Sequence, residues 1–194
     1  MLACGLLCAV ATSPANASVV DVPTAYTQFQ QMVNGFVAKA QAGSSAQTEV
    51  GFLSLDSVKG SATDPVHKGQ ITVLYAQDYV LSVGGAGSVA GKAAPSDYYL
   101  VIPIDQSAPV LEQAAASGQQ FSEAKIFFRS IQFGQPVDIA TDTLGTVRVS
   151  MFWKTTTSSP SFPNVAVVGL QYQTAEWAFG TTKAGRDFSA NRNL

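Results

Sequence analysis

The sequence predicts a mainly β domain in which two sheets close into a barrel or sandwich with one short helix packed beside them. Three observations carry this. Apolar and polar residues alternate with period two, most plainly where Val147, Val149, Met151 and Trp153 interleave with Arg148, Ser150, Phe152 and Lys154. Turn-forming glycines and prolines separate such runs. One internal stretch, Ala108–Ser117, has the punctuation of a short helix, with Pro109 in its first turn and Gly118 just past its end.

In chain order, Leu2 to Ala11 are almost wholly apolar, and Ala15-Asn16-Ala17 offers a small-x-small cleavage site. Residues 1–17 therefore read as a secretory signal peptide, although no basic segment precedes the apolar run. Both cysteines, Cys4 and Cys8, fall inside it. The mature chain would then hold no disulfide and no thiolate metal site. Residues 18–49 read as a linker followed by an added amphipathic helix, about Thr24 to Ala42. Tyr26, Phe29, Val33, Phe36, Val37 and Ala40 recur there at helical spacing. Its apolar stripe packs either on the outside of the domain or on a partner.

Residues 50–179 form the β domain, and 180–194 a polar, mobile tail. Phe52, Leu53 and Leu55 open a first strand. A polar loop with Gly60, Pro65 and Gly69 follows, its residues suited to tight turns. A long strand is expected over Gln70–Val83 and another over Tyr98–Ile104. After the helix, which Ser107 caps, strands are expected at Ala124–Phe133, Val137–Ala140, Val147–Lys154 and Val165–Phe179. The glycine-rich loop 84–91 precedes Lys92 but is no phosphate loop. Ala86 stands where the first glycine should be, and Ala93 where a Ser or Thr should hold the metal.

Charged residues make up only 12% of the chain, against roughly 25% in ordinary soluble domains. Such a surface suits burial in an assembly. A net charge of -2 gives no basic footprint for nucleic acid, and the apolar leader is too short for a stable membrane span. His67 is the only histidine, and no Gly-x-Ser-x-Gly elbow is present. Neither a catalytic residue, a cofactor site nor a metal site is expected. Asp56, Asp64, Asp78 and Asp105 sit at turn and cap positions, where a carboxylate accepts backbone amides. Asp64, His67 and Lys68 are the candidates for ordering the first loop.

Leu55-Asp56, Lys59-Gly60-Ser61, Asp64, His67-Lys68-Gly69-Gln70-Ile71 and Val73-Leu74 together resemble the opening of the haemolysin-coregulated protein (Hcp) family, the tube protein of type VI secretion. A second block agrees: Ile104-Asp105, Ser107-Ala108-Pro109-Val110-Leu111, Ala114, Gly118, Ala124 and Arg129. The resemblance covers about 50–179. It implies an Hcp-like β-barrel without enzymatic activity, subunits closing into a homo-hexamer, rings stacking into a tube, and small effector proteins carried in the lumen. Loop 84–91 would help one ring meet the next. Arg129 would be either an exposed strand charge or half of a subunit-interface ion pair. The leader is a departure, because the family's tube proteins leave the cytoplasm without one. It implies a periplasmic or secreted protein, and leaves an exported monomeric binding module or effector as the alternative.

Overall fold

The computed structural model describes residues 31, 33–38, 51–83, 92–157 and 161–194. Twelve strands and a ten-residue helix dominate it. The strands are β1 (Gly51–Leu55), β2 (Ile71–Val73), β3 (Tyr75–Gln77), β4 (Val80–Val83), β5 (Lys92–Pro95) and β6 (Tyr98–Pro103). After the helix come β7 (Gln120–Gln132), β8 (Gln135–Thr156), β9 (Asn164–Gln171), β10 (Thr174–Phe179), β11 (Thr182–Asp187) and β12 (Arg192–Asn193). We label the helical residues 33–38 α1 and the helix Ala108–Ser117 α2. The rest of the helix expected over Thr24–Ala42, residue 31 apart, lies outside the described residues, as do loop 84–91 and the leader.

β8 organises the barrel. Its first half pairs with β7 and β10, its second half with β9. It turns between them at Gly145–Thr146, where Thr146 takes φ 55°. A side chain at Gly145 would collide with Thr174 Oγ1 on β10. From β8 the hydrogen bonds run through β7 and β1 to β2, and through β9 and β6 to β3. β2 and β3 are separated only by Leu74, whose N–H donates to Val101 O at 2.8 Å. That bond closes the circuit, so the barrel strands find partners within the chain. β10, β11 and β12 form a wing on β8.

The core fills the barrel with Leu53, Leu55, Ile71, Leu100, Ile126, Leu144, Val168 and Leu170, all fully buried. α2 plugs one side with Leu111 and Ala114. A second apolar cluster lies on the outer face of β3, β6 and β9, where Val33, Phe36 and Val37 of α1 cover it. Hence Val165 to Leu170 are buried throughout: alternate residues serve two cores.

Several expected boundaries change. Gln70–Val83 is three strands, broken at Leu74 and at Asp78–Tyr79. Ala124–Phe133, Val137–Ala140 and Val147–Lys154 are parts of two longer strands joined by the turn Phe133–Gly134. Val165–Phe179 breaks at Tyr172–Gln173, where the chain passes from barrel to wing. The expected mobile tail instead pairs with β10, because its backbone finds a free edge there. Ser107 stands at the helix N-cap, but its hydroxyl donates to Asp105 Oδ1 at 2.5 Å rather than capping the helix. Gly60 needs no positive φ; it is glycine because a Cβ would collide with the Gln70 carbonyl across the loop. Gly69, at φ 77°, is the residue that uses the left-handed region.

Candidate functional site

The β7–β8 hairpin projects from the barrel, and its root carries a charged cluster. A bulge between Phe128 and Arg129 shifts the register and sets Arg129 opposite Asp138. Arg129 Nε donates to Asp138 Oδ1 at 3.1 Å, and its Nη1 donates to Asp64 Oδ2. The other Asp64 oxygen accepts the backbone N–H groups of Val66 (2.9 Å) and His67 (3.1 Å). His67 is buried, with Nε2 2.8 Å from Asp138 Oδ2 and Nδ1 2.9 Å from Gln70 Oε1. A carboxylate can only accept, so Nε2 carries a proton. Phe52 stacks on the imidazole at 4.5 Å, Phe127 tilts against it at 4.7 Å, and the Arg129 guanidinium lies 4.9 Å from the Phe52 ring centre.

These contacts set the charges. The Arg129 bond, reinforced by the two amides, holds the Asp64 carboxyl down at about 2. Burial alone would lower the Arg129 pKa, but its two carboxylate partners outweigh that and raise it. Of the four residues singled out from sequence, Asp64, His67 and Arg129 meet here. Lys68 points to solvent and takes no part. Arg129 is largely shielded between two carboxylates of its own chain. Asp138 and Gln70 were not foreseen.

Two further aspartates tie loops to the barrel. Asp56 accepts Ser122 N at 2.7 Å and Glu123 N at 3.3 Å. Asp105 accepts Ser61 N at 2.7 Å and Ser107 N at 2.8 Å. The cluster of Arg129, Asp64, His67 and Asp138 is one network of ion pairs and hydrogen bonds. Its physical effect is to clamp the loop of residues 59–70 to the hairpin root.

What the clamp presents is the hairpin tip. Phe133 is fully exposed and Ile131 is 69% exposed, with Val137 beside them. Phe179, also exposed, ends β10 at the same end of the sheet, since it pairs with Ala140. Tyr79, Val80 and Leu81 are exposed on the β4–β5 hairpin, where Ser96 N donates to Tyr79 O and Ser96 lies by Thr146 of the β8 turn. The domain thus carries exposed apolar residues on both hairpins. Phe133 and Gly134 both take positive φ, 52° and 77°, as a two-residue turn of this hand requires. Asn-Gly is the sequence that turn favours, and a phenylalanine there is strained by about 1 kcal/mol. Phe133→Asn is therefore expected to stabilise the isolated subunit by about 1 kcal/mol in urea denaturation.

The comparisons agree with this architecture. Residues 52–179 match the family described as "Type VI secretion system effector, Hcp". Among solved structures, Hcp1 from Salmonella typhimurium is 25% identical. The match covers 74% of this chain and 97% of that one, with a TM-score of 0.65. Hcp1 from E. coli EAEC 042 is 20% identical over 72% and 99% of the two chains, with a TM-score of 0.63. A type VI secretion system effector from Yersinia pestis is 19% identical over 71% and 98%, with a TM-score of 0.58. A comparison with curated protein sequences found no match. Among the described residues, no helix is long and apolar enough to cross a membrane.

Proposed function

We propose, from the premise that this chain belongs to the Hcp family of type VI secretion system proteins, that its subunits close into hexameric rings and that the rings stack into a tube. The tube carries small effector proteins in its lumen, and the subunit is structural rather than enzymatic. The observation that carries this reading is the family match over 52–179, onto a barrel with two exposed apolar hairpins. One patch meeting a different patch on the next copy would be head-to-tail association, which propagates. The clamp of Asp64, His67 and Arg129 fixes the direction in which the hairpin points.

The same reading makes Phe133 a contact residue, so its strain is offset by association. Phe133→Asn should weaken assembly while it stabilises the single subunit. Negative-stain imaging across a concentration series tests this: the variant should need about tenfold more protein to form stacks, for one buried aromatic lost. Stacks formed at the same concentration as in the unaltered protein would reject the role of Phe133.

The apolar leader, with its cleavage site after Ala17, supports export of the mature chain to the periplasm or beyond. Fractionation of cells, followed by N-terminal sequencing, tests it; a chain still starting at Met1 in the cytoplasm rejects it. A leader also favours the second reading, an exported single-subunit binding module. A one-chain mass at high concentration would support that.

A further inference from the structure

Four oxygen-bearing side chains converge around Tyr98. The Tyr98 hydroxyl donates to Asp142 Oδ2 at 2.8 Å, and both residues are buried. Asp78 follows Gln77, which pairs with Tyr99, and so comes level with Tyr98 on the neighbouring strand. Tyr172 stands two residues beyond Leu170, the β9 partner of Tyr98. Burial raises the Tyr98 phenol pKa, and Asp142, Asp78 and Tyr172 add to the shift, so all three groups lie within electrostatic reach of it. Burial also raises the Tyr172 phenol, with Asp78, Asp142 and Asp97 adding to it. Tyr172 is only 7% exposed, yet its hydroxyl has no hydrogen-bond partner among the described residues. Leaving a buried hydroxyl unpaired costs stability. Neither Asp78 nor Asp142 has an ion-pair partner among the described residues. Burial raises the pKa of both carboxyls, and no Lys or Arg opposes the shift.

We propose that Asp78, Asp142 and the Tyr172 hydroxyl bind a hard divalent cation of the calcium class, with Tyr98 holding Asp142 in place. The inference is independent of the ring reading. The donor set selects the class. Every donor is oxygen, which suits calcium or magnesium rather than zinc or copper. Two carboxylates balance two positive charges, and Tyr172 offers a neutral lone pair. Asp142 Oδ2 accepts the Tyr98 proton, which leaves Oδ1 for the metal. The ligands come from β8 and from the two strand breaks at Asp78–Tyr79 and Tyr172–Gln173. Calcium accepts such an irregular set, whereas magnesium demands a near-ideal octahedron. Among the described residues no three Asp, Glu, His or Cys side chains gather. With two carboxylates, and water completing the shell, the affinity belongs to the weak range of calcium sites, roughly 10⁻⁴–10⁻³ M.

The test follows the melting temperature of the chelator-treated protein at about pH 7.5 as calcium chloride is added, with sodium chloride at matched ionic strength as the blank. The unaltered chain should gain about 4 °C at tenfold the dissociation constant. Asp142→Asn keeps an acceptor for Tyr98 but loses the charge, and the gain should vanish. Tyr172→Phe loses only the hydroxyl, and should need about tenfold more calcium for the same gain. Glu112→Gln, on the exposed side of α2, should respond as the unaltered chain does. Asp78→Asn is the second carboxylate variant, should Asp142→Asn fail to fold. No gain up to about 10 mM calcium, or a gain that the sodium chloride blank reproduces, overturns the proposal. An undiminished gain in Asp142→Asn or in Tyr172→Phe also overturns it, because calcium would then bind elsewhere.

Discussion

Arg129→Met is expected to lower subunit stability by about 3 kcal/mol, because it leaves two carboxylates facing one another without their cation. The figure stands at the low end of the range for a broken buried pair, since Asp138 is 28% exposed and water reaches it. The loss is a property of the pairing, so Asp64→Asn combined with Arg129→Met should cost less than the two single changes together. It should also depend on pH in a defined window. Asp64 titrates at about 2 in the folded protein against an ordinary 3.8, so its contribution is full above about pH 4 and disappears as the pH falls toward 2. The gap between the two proteins in urea denaturation should shrink across that window. Equal stability at pH 7 would mean that the clamp does not hold the loop.

Asp142→Asn should act in the opposite direction and with similar size. Asp142 lies inside the barrel, where its Oδ2 accepts the Tyr98 hydroxyl at 2.8 Å. Burial pushes its carboxyl up to about 6; the Tyr98 bond opposes the shift and the nearby Asp78 carboxylate adds to it. A raised carboxyl destabilises the fold once it ionises. Asp142 therefore costs the fold nothing below about pH 4, costs more as the pH rises from about 4 through 6, and adds no further cost beyond that. Asparagine keeps an acceptor for Tyr98 and cannot ionise. The variant should match the unaltered protein near pH 4 and exceed it by about 2–3 kcal/mol at pH 7.5. A variant less stable at both values would show that the ionised Asp142 is itself stabilising.

The elements legible in the sequence are those whose signals are local. α2 keeps the bounds expected of it, Ala108–Ser117, because Pro109 and Gly118 act within one turn of the residues they limit. β1 is likewise where Phe52, Leu53 and Leu55 place it. β8 was not legible as one strand. The expected strands Val137–Ala140 and Val147–Lys154 leave 141–146 between them, yet the strand continues there and only bends at Gly145-Thr146, where its partner changes from β10 to β9. β11 was hidden for another reason: it lies at the outside of the wing, mostly exposed, and needs no apolar alternation. The clamp was half legible. Asp64 and His67 stand in one loop with turn-forming neighbours, so their local bonds could be read. Asp138 follows Val137 in an unremarkable strand, and its pairing with Arg129 depends on a bulge that no residue type announces.

The account stands on self-association, and its most direct test is the mass of the unmodified protein in solution. Native mass spectrometry of the purified chain should give a dominant six-subunit species with multiples of it at higher concentration. A single-subunit mass that persists at the highest attainable concentration would contradict the account.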